Sequence, residues 1–107
     1  MKRRILVLED DHDRVRGFRS VLGGGVALEV FRTALGFLGA WGRRTRDPHL
    51  ICLDHDLFPD REDDPDPGDG RQVAGALARE PPCAPVLIHS SNRPAAAGMF
   101  HLLRGEG

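Results

Sequence analysis

Three short apolar runs in this chain each end in residues able to bind a cation, hold an anion or move a proton. Leu50-Ile51-Cys52-Leu53 ends in Asp54-His55-Asp56, and Arg4-Ile5-Leu6-Val7-Leu8 in Glu9-Asp10-Asp11. Pro85-Val86-Leu87-Ile88 ends in His89-Ser90-Ser91-Asn92-Arg93. Charged groups are costly to bury unless paired or metal-bound, so two carboxylates around an imidazole at the end of a buried strand read as a site rather than as packing. Carboxylates are hard oxygen ligands suited to Mg²⁺ or Mn²⁺. Imidazole titrates near neutrality and serves as general acid or base. Hydroxyl, carboxamide and guanidinium groups donate to phosphate oxygens.

The charge distribution agrees with a cation-bridged anionic ligand. The chain of 107 residues has a formal net charge of -1, yet 8 of its 16 acidic residues lie between Asp54 and Asp69, where Arg61 is the only base. The remainder holds 14 bases against 8 acids, a net +6. An acidic pocket within a basic body suits an anion held by arginines and bridged to carboxylates by a metal. The competing reading is that 14 arginines and one lysine reflect composition alone.

The elements needed to bring these groups together follow from the hydrophobic pattern. Strands are expected over 3–8, 26–31, 49–53 and 86–89, with helices over 13–22, 34–41, 71–79 and 94–103. In the first helix Val15, Phe18, Val21 and Leu22 recur at helical spacing, and Gly23-Gly24-Gly25 stops it. Pro94 suits a first helical turn. The segment 58–69 is too rich in Asp, Pro and Gly for regular structure. Phe37 with Trp41, and Phe100 with Leu103, are expected to face the core; His12 and His101 are expected at the surface.

Alternating strands and helices with continuous apolar strands indicate an α/β fold, a doubly wound parallel sheet covered on both faces. Ligands of such sheets bind beyond the carboxyl ends of the strands. With 40% hydrophobic residues the chain is long enough for one core, a single domain over 1–107. No apolar run reaches the roughly 20 residues of a membrane span and no signal pattern opens the chain, so a cytoplasmic location without membrane attachment is expected. Cys52 and Cys83 lack metal-ligand spacing and read as reduced structural thiols.

Over nearly the whole chain these residues resemble the receiver domain of bacterial response regulators. The run Ile5-Leu6-Val7-Leu8-Glu9-Asp10-Asp11 resembles its first strand and cation-binding acidic pair, Asp54 its phospho-accepting aspartate, Gly70 the glycine before its third helix, and Ser90 its phosphoryl-contacting hydroxyl. The Asp-His-Asp of 54–56 and the His-Ser-x-Asn of 89–92 resemble a narrower branch, the cyclic-phosphate-processing receiver domains. The resemblance implies a flavodoxin-like fold with about four strands in the order 2-1-3-4, shortened at its C-terminus and lacking the usual fifth strand and helix. The characteristic lysine of that strand has no counterpart, Lys2 being the only lysine. Pro59 falls one residue later than the usual proline. A fourth strand left at the sheet edge would need a cover, such as a second copy or another partner.

The resemblance also implies roles. Alternation along the third strand places Asp54 and Asp56 on one side and His55 on the other, so that both carboxylates share Mg²⁺ or Mn²⁺ with Asp10, assisted by Glu9. His55 and His89 end neighbouring strands, where matched alternation would bring their rings together as general base and general acid. Ser90, Ser91, Asn92 and Arg93 are the expected phosphate donors, with Asn92 alternatively a helix cap, as Asp11 and Asp13 are expected to be. The function so implied is a metal-dependent phosphoesterase opening cyclic phosphates on RNA ends or nucleotides, with Asp54, His55 and His89 catalytic. The alternatives are a receiver phosphorylated on Asp54 in two-component signalling and a non-catalytic interaction domain.

Overall fold

In the computed structural model, which describes residues 3–105, the apolar runs form four strands: β1 (Arg3–Leu8), β2 (Val26–Phe31), β3 (Leu50–Leu53) and β4 (Val86–Ile88). They pair in parallel in the order β2-β1-β3-β4. Helices α1 (His12–Leu22), α2 (Ala34–Arg43), α3 (Gly70–Arg79) and α4 (Arg93–Leu103) connect or follow them. The chain has the flavodoxin-like receiver fold. Among the described residues no helix is long and apolar enough to cross a membrane.

Period-two alternation divides the strands between two cores. Leu6, Leu8, Ile51 and Leu53 pack with Phe37 and Trp41 of α2, Val73, Ala74 and Leu77 of α3 and Met99 of α4. On the other face Ile5, Val7 and Cys52 meet Phe18 and Leu22 of α1. Three helices therefore cover one face and α1 the other.

Helix ends follow the expected chemistry, with differences that have local causes. Asp11 caps α1 by accepting the Asp13 and Arg14 amides, while Asp13 lies inside the helix. The three glycines at 23–25 form a 3₁₀ turn. β3 begins at Leu50 rather than His49, whose ring Nδ1 accepts the Arg4 amide at 3.0 Å. α2 continues past Trp41 to Arg43. Val21, expected on the buried stripe of α1, is 85% exposed. At about 100° per residue it lies roughly 60° beyond Phe18, outside the narrow stripe that Val15, Phe18 and Leu22 present. Phe100 is likewise half exposed, turned toward the Arg104 guanidinium.

Candidate metal and phosphate site

Register builds the site. Leu8, Leu53 and Ile88 are aligned across β1, β3 and β4, and the ladder continues one residue further. The Asp54 amide donates to the Leu8 carbonyl at 3.1 Å and the His89 amide to the Leu53 carbonyl at 2.9 Å. Glu9, Asp54 and His89 thus form a row at the carboxyl edge, on the face that α1 covers. His55 is one residue out of step with His89.

Glu9 is fully buried and Asp54 nearly so. Glu9 Oε2 accepts the Asp10 and Asp11 amides at 3.1 and 3.2 Å. Its other oxygen, Oε1, has no hydrogen-bond donor and lies 3.5 Å from both Arg14 Nη1 and His89 Nδ1. Arg14 also approaches Asp54 Oδ2 at 3.7 Å. Burial, opposed by the Asp11 amide and reinforced by the Asp54 charge, pushes the Glu9 carboxyl up to about 7. Burial lowers the His89 imidazole, with the Asp54 charge opposing it. That ring stands edge-on to Phe18 at 5.4 Å.

One oxygen from each of Glu9, Asp10 and Asp54 lies within 4.8 Å of the others. A buried carboxylate oxygen without a donor, next to two further carboxylates, is a donor set that fits a hard divalent cation. Glu9, Asp10 and Asp54 would hold it. Asp10 is fixed in turn, its Oδ2 accepting the Phe58 amide at 2.7 Å. A cleft of about 330 Å³ opens above them, lined by Asp10, Arg14, Asp54, Asp56, Phe58 and Ser91 among others.

Asp56 does not belong to this cluster. It lines the cleft, but its Oδ1 accepts from His55 Nδ1 at 2.7 Å and the Asn92 amide nitrogen approaches both its oxygens at 3.4 Å. The His55 hydrogen bond is the main reason that its carboxyl titrates below the usual range. On its other side His55 Nε2 lies 3.9 Å from Asp69 Oδ2. His55 and His89 are therefore not brought together as a pair: the register turns one toward Asp56 and Asp69 and the other toward Glu9 and Phe18.

At the end of β4, Ser90 Oγ accepts the Asn92 amide at 3.1 Å and Ser91 reaches the cleft. Asn92 is both a cap and a site residue, its carbonyl oxygen accepting the Ala95 amide at 3.2 Å while its nitrogen faces Asp56. Arg93 is exposed at the first position of α4. Sequence reasoning did not single out Arg14, Asp69 or Phe58. Arg14 was traceable, being three residues past the Asp11 cap and so pointing back at the strand ends; Asp69 and Phe58 reach the site only through the path of the long loop.

Gly70 closes the arrangement. Its amide donates to the His55 carbonyl at 2.9 Å, and a Cβ there would lie 2.0 Å from the Asp54 carbonyl oxygen. A side chain would drive α3 off the strand that carries Asp54. Asp56 also bridges Asp69 across the base of the loop.

A family model described as the cyclic-phosphate processing receiver domain matches residues 4–105. Among solved structures the chain is similar to the BeF3-activated receiver domain of nitrogen regulatory protein C, at 21% identity over 100% of this chain and 80% of that one, with a TM-score of 0.70. It is similar to the response regulator DrrB of Thermotoga maritima at 20% identity, covering 95% of this chain and 42% of DrrB, with a TM-score of 0.66. The response regulator RcsB of Salmonella typhimurium matches at 16% identity, 96% of this chain against 49% of RcsB, with a TM-score of 0.66. The chain thus spans less than half of DrrB and of RcsB, and these likenesses bear on the fold. No curated protein matches it by sequence.

Proposed function

This chain belongs to the cyclic-phosphate processing receiver domain family, and from that premise we propose that it opens cyclic phosphodiesters in the cleft above Glu9, Asp10 and Asp54, with Mg²⁺ or Mn²⁺ as cofactor. The observation that carries the reading is the fully buried Glu9 carboxylate, one oxygen of which has no donor, beside two further carboxylates under an open cleft. A cation held there neutralises charge on the phosphate and acidifies water.

The chain's own residues supply the rest. Arg14 and Ser91 face the cleft and donate to phosphate oxygens. Asp56 orients the attacking water and takes its proton into the Asp56–His55 pair, whose groups meet at 2.7 Å. Asp69 Oδ2 stands behind the ring, 3.9 Å from His55 Nε2. One oxygen–phosphorus bond forms from water, one ring oxygen–phosphorus bond breaks, and the departing oxygen takes up the proton that the Asp56–His55 pair received from the water. His89, walled in by Glu9 and Phe18, supports the carboxylate row from beneath. Turnover of a 2′,3′-cyclic phosphate should require Mg²⁺ or Mn²⁺. Asp54→Asn should remove it, and His55→Ala should lower kcat by about 10²-fold or more, as loss of a proton-transfer group does. Absence of turnover on nucleotide and RNA-end cyclic phosphates alike would defeat the proposal.

A second reading is favoured by Asp54 itself, whose Oδ2 faces Arg14 beside the cleft. Acetyl phosphate would then add one phosphoryl group to Asp54, seen as a mass gain lost in Asp54→Asn.

A further inference from the structure

Phe58 is the one large apolar side chain lining the cleft, and its ring is 70% exposed. It follows the buried Leu57, so the chain leaves the core at this point. Its amide is tied to the Asp10 carboxylate at 2.7 Å, and Pro59 restricts its backbone to extended conformations. The ring is thus presented from a fixed base beside the cation cluster rather than from a loose loop tip.

Phe58 also walls a second depression, a trough of about 260 Å³ lined by Leu35, Pro65 and Pro67 together with Asp64, Asp66 and an Arg32–Asp60 ion pair. Flat apolar surface edged with carboxylates matches an aromatic heterocycle that carries an amino group: the faces stack and the N–H groups donate to the carboxylates. Phe58 lines both depressions, which makes them neighbours. A phosphate over Glu9, Asp10 and Asp54 and a base over Phe58 would occupy them at once.

We propose that Phe58 is a nucleobase platform, so that the ligand of this cleft is a nucleoside bearing the cyclic phosphate and not a base-free sugar or polyol phosphate. The proposal rests on the phosphate-site reading above and adds the residue that selects a base-bearing ligand. The surrounding loop carries six acids and one base over 58–69, which disfavours a run of phosphates across the trough and places a single terminal nucleotide there. A free nucleotide and the end of an RNA strand share that chemistry.

The test compares adenosine 2′,3′-cyclic phosphate, its base-free methyl riboside counterpart and a short oligoribonucleotide ending in a 2′,3′-cyclic phosphate, all with Mg²⁺. Equilibrium binding to the chain with Phe58 intact, measured throughout in a His55→Ala background so that the ligands are not consumed, should favour the adenosine ligand by about tenfold or more, the size of one base–aromatic stack. Phe58→Ala should bring that ratio close to one. Phe58→Trp should keep it and report the base by quenching of its indole emission, which also shows that the variant is folded. Quenching by the free nucleotide, the oligonucleotide or both supports the platform and identifies the source. Equal affinities for the adenosine and base-free ligands, a preference that survives in Phe58→Ala, or failure of every ligand to quench Phe58→Trp would each overturn it. Hydrolysis is read separately: if no ligand is opened while the base preference holds, the reaction fails and the platform stands.

Discussion

The residue that most constrains this site is Glu9. A carboxyl group without solvent, near the Asp54 charge and with Arg14 as its nearest guanidinium, keeps its proton up to about pH 7, against 4.5 ordinarily. The folded pKa is raised, so its contribution to stability is complete below about 4.5 and is lost as pH rises through about 7. In metal-free protein Glu9→Gln should therefore gain in Tm relative to wild type across that interval. His89, whose pKa is lowered, acts in the opposite sense, its contribution fading as pH falls below its ordinary 6.5, and is common to both proteins. Added Mg²⁺ should raise the wild-type Tm most at the upper end of the interval, because only the ionised carboxylate binds the ion. The gain should shrink in Asp54→Asn. Thermal melts across pH, with and without Mg²⁺, measure both effects, and a pH-independent difference between wild type and Glu9→Gln would contradict this account.

At the scale of elements, positions depend on strand register and helix caps. The strands were legible because each is a continuous apolar run, and Glu9 and Asp54 were legible as the first polar residues beyond two of them. Asp56 also follows β3 closely, but beyond its neighbour His55 its partners are Asn92 at the cap of α4 and Asp69 at the cap of α3, a long-range pairing that alternation cannot foresee. The same limit applies to His55 and His89: their strands were identified, but the offset that separates the rings is set by hydrogen bonds between β3 and β4. Gly70 joins the helix scale to the site. Gly70→Ala should cost about 3 kcal/mol or more, the upper range for overpacking, since the contact is with backbone at 2.0 Å. Urea unfolding would measure it. If the helix shifts instead of the fold failing, Mg²⁺ affinity should fall while stability changes little.

The whole molecule is asymmetric. Among the described residues one core joins twelve buried apolar residues from three helices, the sheet and Leu57, whereas the α1 face holds three buried apolar residues, and α1 itself has none. Local opening costs less where fewer apolar contacts break. Hydrogen exchange should accordingly find α1 amides released well before those of β1 and β3, and with α1 go the Asp11 cap and Arg14. Equal protection of α1 and β3 would refute this. Leu87 on β4 is half exposed, so Leu87→Ser should change stability by less than about 1 kcal/mol, while Leu53→Ala should cost about 2–5 kcal/mol. The bridge between Asp56 and Asp69, seconded by the hydrogen bond from Gly70 to His55, has a different kind of consequence. It ties off the acidic excursion at its neck, so the chain between can lengthen at an entropic cost that grows only logarithmically, about 0.6 kcal/mol for each doubling. Beyond Phe58, the outer loop is therefore a segment that evolution or an engineer can extend, shorten or rewrite to meet new ligands without moving the carboxylates at its base.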